Sequence, residues 1–349
     1  MKIAIAYNAD AAAKPHLHDS LRTHVQVAGS ARDVFTTLSR RHDCALFPVE
    51  NRVAALLAIR AYAPDVVFNL CEGVLGHSGW DAHFVLALEL LGIPCCGCDA
   101  VSIALTQDKA MMKGLLRRIG AATPDALAAP VGCPEGQLLA DLEVLLAGAP
   151  SGRLIVKPSR EDAGVGIDTT SVVADPHAAL ARCRALWATH RQPALVEVFL
   201  DGAEYNLALY LGRGGLVTLP PGQIVFASSL APGQKIVGWR AKWDVGSPED
   251  LVTASCIVRE MAPALQAQLT GTCRHVASTL GLTGYCRFDL REGPDGRIHV
   301  LDVNANPDIG AGSGFRTALA AAGVAFDDFL EQLIEARRPA RRDAQRTAA

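Results

Sequence analysis

The 349-residue sequence lacks the features of several large classes of protein. No segment approaches the roughly 18 uninterrupted apolar residues of a transmembrane helix. The apolar start, residues 1–7, is too short for a signal peptide and instead predicts a first β-strand. The net charge of −3 gives no electrostatic reason to expect nucleic acid or an acidic membrane surface as a partner. We therefore expect an ordinary globular protein of the cytoplasm.

The common nucleotide-binding loops are absent as well. Neither the Walker pattern GxxxxGK[ST] nor a GxGxxG that follows a strand occurs. Any nucleotide site in this chain must therefore be built from another pattern.

The ten cysteines do not form a zinc-binding pattern, because no second cluster accompanies Cys95, Cys96 and Cys98 at zinc spacing. Others lie singly in apolar segments, namely Cys71, Cys183, Cys256 and Cys286. With no export signal, we expect reduced cysteines that are buried as small apolar residues.

The chain is long enough for two or three domains with cores of their own. In residues 1–105, strand patterns alternate with helical ones, which is typical of a parallel sheet with helices on its faces. Ligands of such sheets bind at the carboxyl ends of strands, so residues 69–73 with Glu72 form a candidate site loop. A simple loop acid is an equally good interpretation of Glu72.

Three further predictions concern the later part of the chain. Thr106 is a plausible N-cap of a helix that runs to residue 118. Residues 220–246 are rich in Gly and Pro and predict a mobile segment, and residues 254–280 predict one or two helices.

The most informative pattern is a predicted β-hairpin made of residues 284–290 and 300–307. Both runs are apolar with polar residues at alternate positions, and turn-forming residues lie between them. A two-residue or a four-residue loop would give one register, in which Asp289 faces Asp302 and Arg287 faces Asn304. Pro294 lacks an N–H and favours the four-residue loop. A three-residue loop would instead place the two acids on opposite faces.

Two carboxylates directly opposite each other repel, and a divalent cation between them would remove that cost. Asp289, Asp302 and Asn304 offer hard oxygen ligands that suit Mg²⁺ bound to phosphate. A solvated hairpin with scattered charges is the ordinary alternative, but the flanking runs are too apolar for a surface ribbon. The hairpin therefore predicts a metal site.

Upstream of the hairpin, charged residues stand near strand ends. Lys157 precedes Pro158 and a glycine-containing loop, residues 159–166, whose N–H groups could hold phosphate oxygens. Glu197 and Glu204 flank an Asp-Gly turn and could accept hydrogen bonds from adenine or ribose. If nothing else accompanied them, a solvated lysine and two rim acids would be the better explanation of these residues.

The order of these features is far more specific than any one of them. A lysine after a helix cap, Lys-Pro with a glycine loop, Glu-x-x-x-Asp-Gly-x-Glu, Arg-x-Asp and Asp-x-Asn-x-x-Pro follow one another. This ordered set resembles the ATP-grasp ligases, and within them most closely the D-alanine–D-alanine ligase group. The resemblance runs from about residue 66 to residue 336. Its best-matched segments are residues 91–94, 107–109, 155–158, 196–204 and the hairpin.

The resemblance implies a three-domain ATP-grasp architecture, α/β in class with an α+β ATP-grasp part. An N-terminal Rossmann-like domain would span residues 1–105, a small central domain residues 106–197, and a C-terminal domain with the metal and substrate sites residues 198–337. Residues 338–349 would form a disordered basic tail.

The resemblance also implies a role for each matched residue. ATP would be bound by Lys109, Lys157, Glu197, Val198, Phe199, Leu200, Glu204, Lys242 and Leu301. Mg²⁺, as two ions for which Mn²⁺ can substitute, would be held by Asp289, Asp302 and Asn304. The catalytic residues would be Arg287 and Lys242, and the substrate-binding residues would be Glu72, Arg287 and Ser313.

These residues suit an ADP-forming ligase that joins a small carboxylate, an amino acid in the main interpretation, to an amine. Transfer of the γ-phosphoryl group of ATP converts the carboxylate into an acyl phosphate, and this step needs mainly positioning and charge neutralisation. Lysines and metal ions would supply the neutralisation, and Arg287 would meet the tetrahedral oxyanion. Residues 159–166 and 220–246 are candidates for the lid that excludes water.

The match fails around the first substrate. In the D-alanine ligases a Glu, a Ser and a Tyr form a hydrogen-bonded triad there, whereas this chain has Ala163 and Trp243 at the Ser and Tyr positions. Residues 8–12 contain no matching Glu, and residues 69–73 replace the family's His-Gly. Asp302 stands where the family usually has the longer Glu. The nucleotide site therefore looks intact while the first-substrate pocket looks rebuilt.

Two other functions stay open on the sequence alone. One is D-alanine–D-alanine ligase itself, and the other, of a different class, is a non-catalytic ATP-binding sensor or partner protein. The expected partners are small-molecule amino acid or carboxylate substrates, with no nucleic acid and no membrane, and a homodimer is left open.

Overall fold

The computed structural model describes residues 1–9, 18–50, 52–72 and 80–337 of the protein, and three β-sheets follow one another along the chain. Among the helices of these ranges, none has both the length and the apolarity that crossing a membrane requires. The predicted tail, residues 338–349, lies outside the described residues, as do residues 10–12 and 73 of the two loops considered above.

The first sheet is parallel, with strand order β2-β1-β3-β4. Ile3 and Ile5 of its first strand pack toward one set of helices, whereas Ala4 and Ala6 pack toward another, so the strand is apolar throughout because both faces are covered. The predicted N-terminal parallel sheet is confirmed. The elements of this part are β1 (Lys2–Tyr7), α1 (His18–Leu38), β2 (Asp43–Pro48), α2 (Arg52–Tyr62), β3 (Val66–Asn69), α3 (Asp81–Leu90), β4 (Cys95–Cys96) and α4 (Ala100–Gln107).

The second sheet is antiparallel, with strand order β5-β8-β6-β7. One face buries Val156 and Val196 against two helices, and the alternate positions place Lys157 and Glu197 on the other face. The elements are α5 (Lys109–Arg118), β5 (Ala126–Ala129), α6 (Glu135–Ala147), β6 (Leu154–Pro158), β7 (Val172–Val173), α7 (Pro176–His190) and β8 (Ala194–Val198).

The third sheet is also antiparallel, with strand order β12-β11-β9-β13-β14, and β10 pairs with β9. Phe288 and Leu290 are buried in one core cluster with residues of α10, which leaves alternate side chains for the opposite face. The elements are β9 (Glu204–Gly212), β10 (Gly215–Thr218), β11 (Gly222–Phe226), α8 (Trp239–Trp243), α9 (Pro248–Leu251), β12 (Thr253–Ile257), α10 (Pro263–Thr279), β13 (Tyr285–Glu292), β14 (Ile298–Asn304), α11 (Gly314–Ala321) and α12 (Phe326–Arg337). The three sheets thus occupy separate stretches of chain, and the domain boundaries at residues 105, 197 and 337 stay predictions.

Three local predictions are wrong. Thr106 lies inside α4, and the N-cap of α5 is Asp108, whose carboxylate accepts the N–H groups of Ala110 and Met111 at 3.1 and 3.2 Å. The predicted helix over residues 254–280 is the edge strand β12 followed by α10, which begins at Pro263. All ten cysteines are free, but Cys256 is exposed on β12 rather than buried.

The loop of the predicted hairpin differs from the expectation in an informative way. The Gly293 N–H donates to the Arg297 carbonyl at 2.8 Å and the Gly296 N–H to the Gly293 carbonyl at 3.0 Å, which leaves a three-residue loop instead of the predicted four. Gly296 has a φ of +75°, as a turn of this length requires of its last residue.

A β-bulge at Leu301 restores the register that this loop would otherwise destroy. Leu290 pairs with Val300, but Asp289 pairs with Asp302, so Leu301 is an extra residue on β14. Consequently Val300 and Val303, the buried residues on either side of the bulge, are three residues apart, whereas Ile298 and Val300 before it are two apart. The predicted pairs Asp289–Asp302 and Arg287–Asn304 are confirmed, although the predicted loop is wrong.

Candidate active site

A cleft between the second and third sheets gathers most of the predicted site residues. Residues 161–164 and 236–237 cover part of it, and the bulge places both Leu301 and Asp302 on its wall. The predicted residues that line it are Lys157, Glu204, Lys242, Arg287, Asp289, Leu301, Asp302 and Asn304.

Lys109 reaches this cleft from the first turn of α5. Its Nζ lies 3.0 Å from Asp302 Oδ2 and 3.0 Å from Asp162 Oδ1, although the residue is only 5% exposed. Burial would lower the pKa of Lys109, but the two carboxylates outweigh it and raise the pKa. Lys109 therefore stays protonated and connects the glycine-containing loop to the hairpin.

Each of the two facing acids on the hairpin has its own basic partner. Arg287 donates from Nε and Nη2 to the two oxygens of Asp289 at 2.9 and 3.1 Å, and Lys109 contacts Asp302. The repulsion between the acids is thus offset within the protein. The facing pair by itself therefore does not require a divalent cation, and the metal site stays a prediction.

Glu197 lies behind the cleft wall, 1% exposed, between two lysines. Its Oε1 is 2.8 Å from Lys157 Nζ and 3.3 Å from Lys113 Nζ. Burial alone would raise the pKa of Glu197, but these two ammonium groups reverse the effect and lower it. The side chain thus holds lysines, a role that the sequence did not indicate.

Residues 198–200, the segment predicted to bind adenine, directly follow Glu197 in the chain. The N–H groups of Val198 and Phe199 already donate to the carbonyl groups of Asp125 and Arg153, at 2.8 and 3.0 Å. Among the described residues, the Leu200 N–H has no backbone acceptor. Of these three N–H groups, that of Leu200 is therefore the one that no backbone carbonyl engages, and the role of the segment in binding adenine stays a prediction.

Glu204 and Arg291 close the neighbouring part of the cleft, with Arg291 Nη1 3.3 Å from Glu204 Oε2. The Arg291 guanidinium also lies over the Phe199 ring, 4.9 Å from its centroid. Arg291 is not among the site residues predicted from the sequence. It could have been predicted, because it alternates with Arg287 and Asp289 along β13 and so lies on the same face.

The predicted substrate residues Glu72 and Ser313 do not line this cleft. Glu72 follows the carboxyl end of β3, where its N–H donates to Asn8 Oδ1 at 3.2 Å, and its carboxylate interacts electrostatically with Arg287. Ser313 is the N-cap of α11, and its Oγ accepts the Arg316 N–H at 3.2 Å. Their roles in binding substrate stay predictions.

The two departures from the family pattern contact each other. Trp243 Nε1 donates to the Ala163 carbonyl at 3.0 Å, and Ala163 has a φ of +57°. Beside this contact, a Cβ on Gly164 would lie 2.9 Å from the backbone of Gly238 and Trp239, so the two segments pack closely. The loop and the segment that carries Lys242 are thus joined at the edge of the cleft.

Two antiparallel sheets that enclose a cleft, with lysines from one and an acidic hairpin from the other, define the class of the protein as an ATP-grasp ligase. Residues 150–335 match the family model described as "D-ala D-ala ligase C-terminus".

Known proteins and solved structures match this chain over most of its length. A D-alanine–D-alanine ligase from Desulfotalea psychrophila is 30% identical over 283 residues, which cover 80% of each chain. The crystal structure of a Bacillus anthracis D-alanine–D-alanine ligase complexed with ATP has a TM-score of 0.73 at 18% identity, with 97% of both chains covered. The VanG D-Ala:D-Ser ligase from Enterococcus faecalis has a TM-score of 0.71 at 19% identity and covers 96% of this chain and 99% of its own.

The chain therefore belongs to the D-alanine–D-alanine ligase family. It is an ATP-dependent, ADP-forming carboxylate–amine ligase.

Proposed function

We propose that the chain phosphorylates the carboxylate of a small amino acid with ATP and joins the resulting acyl group to the amine of a second small molecule, and that its first substrate is not D-alanine. The observation that carries the proposal is the convergence of Lys157, Lys242, Arg287 and the acidic hairpin on one cleft. A non-catalytic ATP-binding protein would have no need for this arrangement beside the nucleotide.

The phosphates of ATP belong at the basic wall of the cleft. Lys157 of β6 and Lys242 of α8 line it, and Lys109 stands beside Asp302. The adenine belongs near residues 198–200, where the Leu200 N–H is available, and Glu204 is placed to accept from a ribose hydroxyl. Phosphoryl transfer depends on such positioning of charge rather than on covalent chemistry by the protein.

Asp289, Asp302 and Asn304 fit the Mg²⁺ that the family implies. All three present oxygen atoms on the cleft face of one paired hairpin, and hard oxygen ligands are those that Mg²⁺ prefers. When bound, Mg²⁺ supplies neutralisation of the phosphate charge.

Arg287 is placed to act on the substrate that receives the phosphoryl group. Asp289 holds its guanidinium through two hydrogen bonds, so its direction is fixed before substrate binds. A fixed cation there stabilises the oxyanion that forms when the amine attacks the acyl phosphate.

The first-substrate pocket differs from that of a D-alanine ligase because its edge is closed by Trp243 and the Ala163 carbonyl. The indole N–H is already used within the protein, and Ala163 has no hydroxyl. This edge offers neither of the two hydroxyl groups of the family triad, which supports a different first substrate. The reaction suits the cytoplasm, where ATP is present and the ten free thiols stay reduced.

The proposal is tested by supplying ATP and Mg²⁺ with pairs of D- and L-amino acids and following ADP, phosphate and the mass of any product. We expect a ligated product whose acyl part comes from an amino acid other than D-alanine. Formation of D-alanyl-D-alanine as the main product would contradict the rebuilt pocket. Tight ATP binding without turnover for any pair would contradict the ligase.

A further inference from the structure

Lys113 is a fully buried cation that the roles above do not use. It lies one turn after Lys109 on α5 and is 2% exposed. Its Nζ donates to Thr123 Oγ1 at 2.8 Å and lies 3.3 Å from Glu197 Oε1. A buried ammonium group is costly unless it is paired, so this position needs an explanation.

The contacts of Lys113 reach both walls of the cleft. On one side, Glu197 Oε1 is shared with Lys157 Nζ at 2.8 Å. On the other side, Thr123 Oγ1 donates to the carbonyl of Val300 at 2.7 Å, directly before the bulge at Leu301. The Val300 N–H returns a bond to the carbonyl of Ala122 at 2.8 Å.

The charges of this cluster are unequal. Glu197 carries one negative charge between two ammonium groups, so the cluster is net positive only while Lys113 is protonated. With Lys113 neutral, Glu197 would cancel the charge of Lys157. Because the cluster is buried, such a change is weakly screened at the cleft wall.

We propose that Lys113 is a positioning residue of the ATP site, which offsets the charge of Glu197 so that Lys157 presents a net positive charge to the phosphates. This inference rests on the proposed contact between Lys157 and ATP. A lysine that only stabilises the fold would affect unfolding and leave ATP affinity unchanged.

The protonation of Lys113 gives a second measurable consequence. Burial lowers the pKa of Lys113 to about 8, although the carboxylate of Glu197 opposes this. The charged groups that face it are Glu197 of β8, Lys157 of β6 and Asp302 of β14, and Thr123 is its neutral partner. Lys113 is protonated below about pH 8, so ATP affinity should weaken as the pH rises through that value.

The test measures ATP binding and steady-state kinetics of the full chain. Lys113→Met, which keeps the length and removes the charge, should raise the Kd and the KM for ATP about tenfold with a smaller change in kcat. Adding Glu197→Gln should restore much of the affinity, because the cluster is then net positive again. Lys2→Met makes the same substitution on the first strand and should leave the Kd unchanged, and melting temperatures verify folding.

The outcomes separate this inference from the proposed function. If Lys157→Met weakens ATP binding but Lys113→Met does not, the inference is overturned and the proposed site stands. If Lys157→Met binds ATP with the Kd of the wild type, the proposed ATP site is contradicted, and this inference, which rests on it, is contradicted as well. If Lys113→Met does not fold, the wild type decides: a Kd for ATP that is constant from about pH 7 to pH 9 overturns the inference, and a rise across that range supports it.

Discussion

At the scale of single residues, the charged side chains of the cleft are held in opposite-sign contacts rather than left to move in solvent. A side chain whose direction is set before the substrate arrives loses little entropy on binding and needs little reorganisation during reaction. The contacts concerned are Arg287–Asp289, Lys109–Asp302, Lys157–Glu197 and Arg291–Glu204.

Asp289→Asn tests the residue that joins the hairpin acids to Arg287. It removes one predicted metal ligand and the charge that fixes the guanidinium by two hydrogen bonds, so turnover should fall at least about 100-fold. The fall is measured as kcat/KM with saturating Mg²⁺. Asp295→Asn makes the same change on the exposed loop of this hairpin and should leave kcat/KM within about twofold. A near-normal rate in Asp289→Asn would remove the site assignment.

At the scale of elements, the hairpin reaches the predicted pairing through two compensating irregularities. The three-residue loop alone would set Asp289 opposite Leu301, and the bulge adds the residue that brings Asp302 opposite Asp289. The loop and the bulge therefore set the position of the acids together, and the bulge also places Leu301 on the cleft wall.

Gly296→Ala tests the loop, and deletion of Leu301 tests the residue that forms the bulge. Alanine at the φ of +75° of Gly296 should lower the free energy of unfolding by about 1 kcal/mol and leave kcat/KM unchanged. Deletion of Leu301 removes the bulge, but Asp302 then directly follows Val300 and still pairs with Asp289. The deletion takes Leu301 off the cleft wall, so kcat/KM should fall about tenfold through a higher KM for ATP. Urea unfolding and kcat/KM are measured for both variants.

Gly136→Ala is the matched control for this pair of variants. Gly136 lies in α6, where an added Cβ meets nothing within 4 Å, so alanine there should stabilise by about 0.5–1 kcal/mol. An unchanged KM for ATP after deletion of Leu301 would show that the bulge residue does not contribute to the nucleotide site.

At the scale of the whole molecule, function depends on how separate sheets meet. Lys109 contacts both the glycine-containing loop and the hairpin, and Lys113 links Glu197 of β8 to the hairpin through Thr123. Trp243 joins the segment after β11 to the same loop. An acyl phosphate between these parts is hydrolysed if water enters, so the contact at the edge of the cleft matters for coupling.

Trp243→Phe tests this edge contact. The ring remains, but the bond from Nε1 to the Ala163 carbonyl is lost, so the ratio of phosphate released to product formed should rise about twofold or more. Trp187→Phe removes an equivalent bond, from Nε1 to the Ala129 carbonyl at 2.9 Å in α7, and should keep the wild-type ratio. Equal ratios in the two variants would contradict a role for Trp243 in coupling.

Some properties could be predicted from the sequence because they depend on the order of residues and motifs along the chain. Alternating strand and helix patterns predicted the first sheet, and the ordered lysines, glutamates and hairpin acids identified the ligase class, since the phosphate and metal contacts of this class recur at spaced positions. The prediction that Asp289 faces Asp302 is also confirmed. The predicted four-residue loop is wrong, because the bulge that compensates for a shorter loop leaves no clear mark in the alternation of apolar residues.

Other properties were decided only by the tertiary structure. The carboxylate of Glu197, a predicted ATP-binding residue, lies between Lys113 and Lys157, which meet it from different elements. Likewise, two separate departures from the family pattern form one contact between Trp243 and Ala163. The ordered motifs, through their resemblance to the ATP-grasp ligases, identified the chemistry that this chain performs. Which charge meets which partner depends on distances between remote segments, and only packing of the sheets sets those distances.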